Sequence, residues 1–177
     1  MKISIQFKNS NNPHVIDFSN GISLTQKISR TPENNVNAYF IPPAKFIPFK
    51  IGDFIGSVAQ GGACNCEDIT FNAHGNGTHT ECVGHIAKEA VYITDIHVPI
   101  LCKALLIDVK PKQQQNGDFI IDATSYHWEK LEQAEAIIIR SGLIEPKMQF
   151  SGTNPCYFHP NIAQLLREKG FNHLITD

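Results

Sequence analysis

An alternation of short apolar runs with amphipathic stretches across residues 104–177 leaves this chain few ways to fold. Ala104–Val109 and Phe119–Ile121 are short and rich in β-branched and aromatic residues, and they are expected to be strands. Asp122 or Thr124 then stands where a helix needs an N-cap, with Trp128 and Leu131 on one face of the expected helix. Ala136–Ile139 is an unbroken apolar run of the kind found in a buried strand. The alternation then repeats. Pro160 suits a first helical turn, Ile162, Leu165 and Leu166 form an apolar stripe, and Arg167 and Lys169 suit the C-terminal dipole. Gly170 ends that helix and Phe171–Ile175 begins another strand, after which the sequence stops at Asp177.

Upstream, Ile3, Ile5 and Phe7 alternate with polar residues, and Val15–Phe18 follows an Asn-rich cluster at Asn9–Pro13, which predicts a hairpin. Residues 31–56 carry Pro32, Pro42, Pro43 and Pro48 among Tyr39, Phe40, Phe46, Phe49 and Phe54. That composition disfavours helix and predicts a long ordered loop, either functional or pinned to the core by its rings. Ile69–Phe71 is expected to be a strand leading into a histidine-rich run, where Gly75 and Gly77 permit sharp turns or positive φ.

Bulk properties exclude several classes. A chain of 177 residues fits one domain, and its 42% apolar and 18% charged content lacks both the polarity of disorder and a membrane-length apolar run. The formal charge is -2 and no segment gathers basic residues into a stripe, so neither nucleic acid nor membrane is an expected partner. MKISIQFKNS has no secretory pattern, which points to the cytoplasm. Five cysteines at irregular spacings point to reduced thiols, with Cys64 and Cys66 expected as small buried hydrophobes.

The chemistry concentrates in HGNGTHTECVGH, residues 74–85. Three of the eight histidines fall in these twelve residues, together with Glu81. A catalytic metal needs several deprotonated nitrogen or oxygen donors converging on one point. In an extended stretch His79 and Glu81 share a face, a turn can bring His85 alongside, and His74 can arrive from the preceding strand. The expected cofactor is a divalent ion, Zn2+ or Mn2+, with Thr78 hydrogen-bonding a ligand from behind. The competing reading is a set of surface loop histidines. His14, His97, His127, His159 and His173 are isolated and receive no ligand role.

Gly77-Thr78-His79-Thr80-Glu81 followed by His85 resembles the signature of the metal-dependent cyclase family that includes bacterial kynurenine formamidases, His-x-Gly-Thr-His-x-Asp-x-Pro-x-His. The likeness extends to the proline-and-aromatic stretch near residues 39–49, the strand at 104–109, IIIRSG at 137–142 and the final helix and strand. It implies an α/β fold of the swivelling β/β/α kind, a single cyclase-like domain over residues 1–177, usually homo-oligomeric. One or two divalent ions would serve amide or lactone hydrolysis of a small-molecule substrate. Carried over by position, His79 and Glu81 would be metal ligands, Glu81 replacing aspartate, and His85 the general acid or base. His74 lies one residue further from His79 than the family spacing, which puts Gly75 at the strict position, and a one-residue bulge would restore it. Val83 stands where the family usually has proline. Family members continue past a strand like 171–176 and supply a further histidine and glutamate. The chain is therefore expected to be a C-terminally truncated fragment or a shortened relative.

The expected activity is metal-dependent cleavage of an amide such as an aryl formamide resembling N-formylkynurenine, or of a lactam or lactone, with a substrate ring stacking on Tyr39 or Phe40. Two other readings stay open. One is a metal-binding relative without turnover, and the other is a hydrolase using Cys82 beside His79 or His85.

Overall fold

The structure is a computed structural model, and it describes residues 1–7, 11–143 and 149–177. In chain order the elements are β1 (Lys2–Ile5), β2 (His14–Asp17), β3 (Lys45–Pro48), β4 (Lys50–Ile51), β5 (Phe54–Ile55), β6 (Glu67–Thr70) and α1 (Ala73–Asn76). There follow β7 (Ala104–Asp108), β8 (Lys112–Gln113), β9 (Phe119–Ile121), β10 (Ala136–Arg140), β11 (Tyr157–Phe158), α2 (Asn161–Glu168) and β12 (His173–Thr176). The chain is thus a mixed α/β protein with small sheets. Its contacts divide it into two compact units: one made of Met1–Leu24, Ile96–Ile144 and Asn154–Asp177, the other of Thr25–Asp95 and Glu145–Thr153.

The first unit is built on β10, the apolar run that sequence marks as buried. It pairs in parallel with β7 and with β12, setting Ile137 beside Leu105 and Leu174 and Ile139 beside Ile107. Side chains two residues apart share a face, so Ile137 and Ile139 point together into the core, and both are fully buried. The α2 helix lays Ile162 and Leu166, one turn apart, into the same cluster with Val109, Ile121, Trp128 and Phe171. Its end is closed by Gly170, at φ 84°, and by the Phe171 amide, which donates to Leu166 O at 3.0 Å. Because Phe171 is still turning into the core, the last strand starts at His173, two residues later than expected.

A second small sheet places β9 antiparallel to β8 and parallel to β11. The expected hairpin forms between β1 and β2, pairing Ile3 with Ile16. Of its turn at Asn9–Pro13, residues 9 and 10 lie outside the described residues.

The helix expected after Asp122 does not form. Asp122 Oδ1 accepts from the Thr124 amide at 2.8 Å and from the Ser125 hydroxyl at 3.0 Å, and only one 3-10 turn, Trp128–Lys130, follows. A short polar side chain that captures the backbone two residues on stabilises a turn in place of a helix. Trp128 still reaches the core from this turn.

In the second unit, residues 31–56 are more regular than a loop. β3 pairs antiparallel with β6, Phe46 opposite Ile69, and β4 pairs with β5. Pro48 is tolerated because it ends a strand of a two-stranded sheet, where a missing N–H need not break a ladder. Cys64 and Cys66 are exposed, contrary to their expected burial. They lie in a connection between short strands and not in a core. No helix among the described residues is long and apolar enough to cross a membrane.

Candidate metal centre

The histidine-rich run lies entirely in the second unit, directly after β6. The Asn72 side chain caps α1, its Oδ1 accepting the His74 amide at 2.9 Å. Asn76, 2% exposed, closes the turn from the other end: its Oδ1 accepts the Asn72 amide at 2.8 Å and its Nδ2 donates to Pro42 O at 3.2 Å. The Ala38 amide donates to Gly75 O at 3.1 Å. Gly75 is needed for closeness, since a Cβ there would sit 2.6 Å from Ile41 Cδ1. Neither Gly75 nor Gly77 lies in the left-handed region, Gly77 being extended at φ 178°, so the glycines serve close approach and not the left-handed conformation sequence allowed them.

His74 therefore projects from a single helical turn and not from the preceding strand. The chain then runs without regular structure through His79 and Glu81 into a 3-10 turn, Val83–His85, where the His85 amide donates to Cys82 O at 3.0 Å.

These turns bring the four predicted side chains to one place. Glu81 Oε1 lies 2.6 Å from His74 Nδ1, 3.0 Å from His79 Nε2 and 3.7 Å from His85 Nε2. The His74 and His85 rings stack at 4.4 Å, and His79 meets His74 edge-on at 4.9 Å. One donor atom each from His74, Glu81 and His85 fit within 4.8 Å of one another, the one group of three or more such residues among the described residues. His85, expected only as an acid or base, belongs to that group although its Nε2 is the farthest of the three imidazoles from Glu81, and His79 does not belong to it. Burial pushes the Glu81 carboxyl up, but hydrogen bonds from His74 and His79 and the charges of His85 and His79 outweigh it and hold it below the usual carboxylate range.

The donor chemistry suits a divalent cation. His79 Nδ1 lies 3.0 Å from Gly77 O, and a carbonyl only accepts, so this nitrogen carries a proton. Its Nε2 faces Glu81 Oε1 at 3.0 Å, where it donates if the ring is charged and offers a lone pair to a cation if the ring is neutral. Either a proton or a cation therefore lies between these two atoms. Protonating all three rings would place three positive charges around one carboxylate, whereas the donor atoms of His74, Glu81 and His85, within 4.8 Å of one another, can share one divalent ion. Ligand atoms about 2.0–2.2 Å from a tetrahedral ion stand roughly 3.3 Å apart, and the separations from Glu81 Oε1 bracket that value. A set of three imidazoles and one carboxylate suits zinc, and the carboxylate also accepts manganese.

Two further residues of the run hold it in place. Thr78 Oγ1 accepts the Gln26 amide at 2.9 Å and tethers the segment. Cys82 donates its thiol to Val91 O at 3.6 Å. Sequence reasoning missed Asn72 and Asn76, whose signal was an Asn pair four residues apart bracketing His74, the spacing of one helical turn. Removing the Asn76 amide strands the Asn72 N–H and the Pro42 carbonyl. Asn76→Ala is expected to lower stability by about 1–3 kcal/mol, read as a denaturant midpoint, and to weaken metal uptake.

A mixed α/β chain with an imidazole and carboxylate cluster suited to a divalent ion is the class of protein that fold and site together define. The chain belongs to the Cyclase family, described as "Putative cyclase", whose model matches residues 3–177. Comparison with curated proteins gives no match.

Proposed function

We propose that this chain is a metal-dependent hydrolase that cleaves an amide such as an aryl formamide, or a lactam or lactone. The observation that carries the reading is the meeting of three imidazole nitrogens around Glu81 Oε1, within one Cyclase-family chain. The proposal includes the swivelling β/β/α form of the fold, a homo-oligomeric state and a cytoplasmic setting.

In this reading His74, His79 and Glu81 hold the ion. When bound, zinc or manganese lowers the pKa of water toward about 7 and polarises a carbonyl. The chain's own groups supply the rest. Glu81, held ionised, keeps negative charge at the centre of the imidazoles. The Gly77 carbonyl fixes the ring orientation and tautomer of His79, and the Asn72 and Asn76 turn fixes the backbone that carries His74. His85 has the longest of the three approaches to Glu81 and the most exposed of the three rings, 48% against 42% for His74 and 28% for His79. Its Nε2 is the atom to accept a proton from the attacking water and return it to the leaving amine. The water oxygen joins the carbonyl carbon, the C–N bond breaks, and the amine departs protonated.

A second reading, a metal-binding protein without turnover, draws on the same exposure, because an open cluster lacks the water exclusion that strengthens catalytic electrostatics. Chelation decides between them. Formanilide hydrolysis by the zinc-loaded protein is expected to vanish on treatment with EDTA and return with added zinc. Zinc bound with no hydrolysis at all would favour the second reading.

A further inference from the structure

Tyr39 and Phe40 are the two non-glycine residues with positive φ among the described residues, at 59° and 56°. The Ile41 amide donates to Ala38 O at 3.1 Å across them. Two successive left-handed residues inside a hydrogen-bonded four-residue turn are the signature of a type I′ turn, which is normally made of Asn and Gly because a Cβ crowds the following carbonyl. Here the two positions carry large aromatic rings instead. The conformation is not offset by packing, since the residues are 77% and 78% exposed.

The surrounding chain imposes it. The Phe40 amide donates to Ser151 Oγ at 2.9 Å, Ser151 donates to Asn37 Oδ1 at 2.5 Å, and Asn37 Nδ2 donates to Ile41 O at 2.7 Å. The same turn is joined to α1 by the Ala38 to Gly75 and Asn76 to Pro42 hydrogen bonds and by the contact that excludes a Cβ at Gly75. Tyr39 and His74 are each one residue from that Ala38 to Gly75 bond, so their Cα atoms are no more than about 13 Å apart. A strained, clamped and exposed aromatic pair tied to the turn that carries His74 is the kind of conformation retained at functional sites.

We infer that Tyr39 and Phe40 form a rigid platform that stacks the planar aromatic ring of the small-molecule substrate and so sets specificity for aryl over saturated amides. This rests on the hydrolase reading above and adds the residues that would select the aryl amides among its substrates. Stacking has a face-on geometry that a saturated ring of the same size does not share, and preorganised rings lose little freedom on binding.

The test titrates benzamide and cyclohexanecarboxamide into zinc-loaded and EDTA-treated protein, following binding by ligand-observed NMR. The parent is expected to bind benzamide about three- to tenfold tighter than its saturated counterpart. In the double variant Tyr39→Asn with Phe40→Gly, the sequence that type I′ turns prefer, that ratio is expected to fall to near 1 while Tm rises by about 2–4 °C. Phe40→Leu, which keeps bulk and strain but removes the ring, is expected to lower the ratio without raising Tm. A parent ratio near 1 overturns the platform, whether or not zinc is bound. A fall in Tm in the double variant overturns it as well, because the rings would then be holding the fold. So does a change of oligomeric state with the ratio intact, which would make them a subunit contact. Failure of the parent to take up zinc is a separate result that overturns the metal reading, and the affinity ratio of the EDTA-treated protein remains readable beside it.

Discussion

Glu81→Ala is expected to abolish metal binding and with it turnover, whereas His85→Ala is expected to keep the metal and lose about 100-fold or more in kcat. The asymmetry follows from geometry. Glu81 Oε1 is the atom on which all three imidazoles converge, so removing it leaves three rings with nothing to balance a dication. Partners one shell out from a metal already cost about 10–100-fold in affinity when lost, and a central carboxylate exceeds that. His85 is set back at 3.7 Å, so the two closer imidazoles and the carboxylate still offer three donors without it. Inductively coupled plasma analysis of the purified variants, paired with formanilide hydrolysis rates, reads both halves. Full metal content in the Glu81→Ala protein would remove the site assignment. Loss of metal in His85→Ala would instead move His85 among the ligands, as its closeness to His74 and Glu81 permits.

Gly84→Ala is the second large effect. A Cβ at residue 84 would overlap the Val91 carbonyl oxygen and lie 2.8 Å from its carbon. Both are backbone atoms, so no side chain can swing aside. Either the 3-10 turn Val83–His85 or the chain at Val91 must move, and the first carries His85 while the second accepts the Cys82 thiol. Overpacking against backbone costs about 1–3 kcal/mol or more. Displacing a catalytic group by about 1 Å can cost on the order of 100-fold in rate. Gly84→Ala is therefore expected to bind metal, melt earlier than the parent and turn over at roughly His85→Ala levels. A thermal melt and a rate measurement on the same preparation test it, and parental values in both would show that the loop yields without consequence.

The residues of the candidate centre were legible in the sequence for a local reason. His74, His79, Glu81 and His85 fall within twelve consecutive residues, so short-range chain geometry alone can assemble them. The means of assembly was less legible. A period-2 argument put His79 and Glu81 on one face, and they do meet, yet the segment between Gly77 and Cys82 is not a strand. His74, expected to arrive from the preceding strand, stands instead on a helical turn held by Asn72 and Asn76, side chains that act locally and leave no periodic pattern. The absent helix after Asp122 has the same origin, a short polar side chain that can serve either as a helix cap or as a closed turn.

Apolar runs and the α2 stripe were set by the sequence itself, because burial of Ile137, Ile139, Ile162 and Leu166 follows from periods of 2 and 3.6 that any compact arrangement must respect. Only the tertiary structure decided that Ala38, Ile41 and Pro42 would brace the turn carrying His74, and that Tyr39 and Phe40 would be held left-handed and exposed. Those contacts join residues more than thirty positions apart. Hydrophobic periodicity is a property of neighbours along the chain, whereas a backbone hydrogen bond between distant loops depends on how both are folded and leaves little mark in the composition of either.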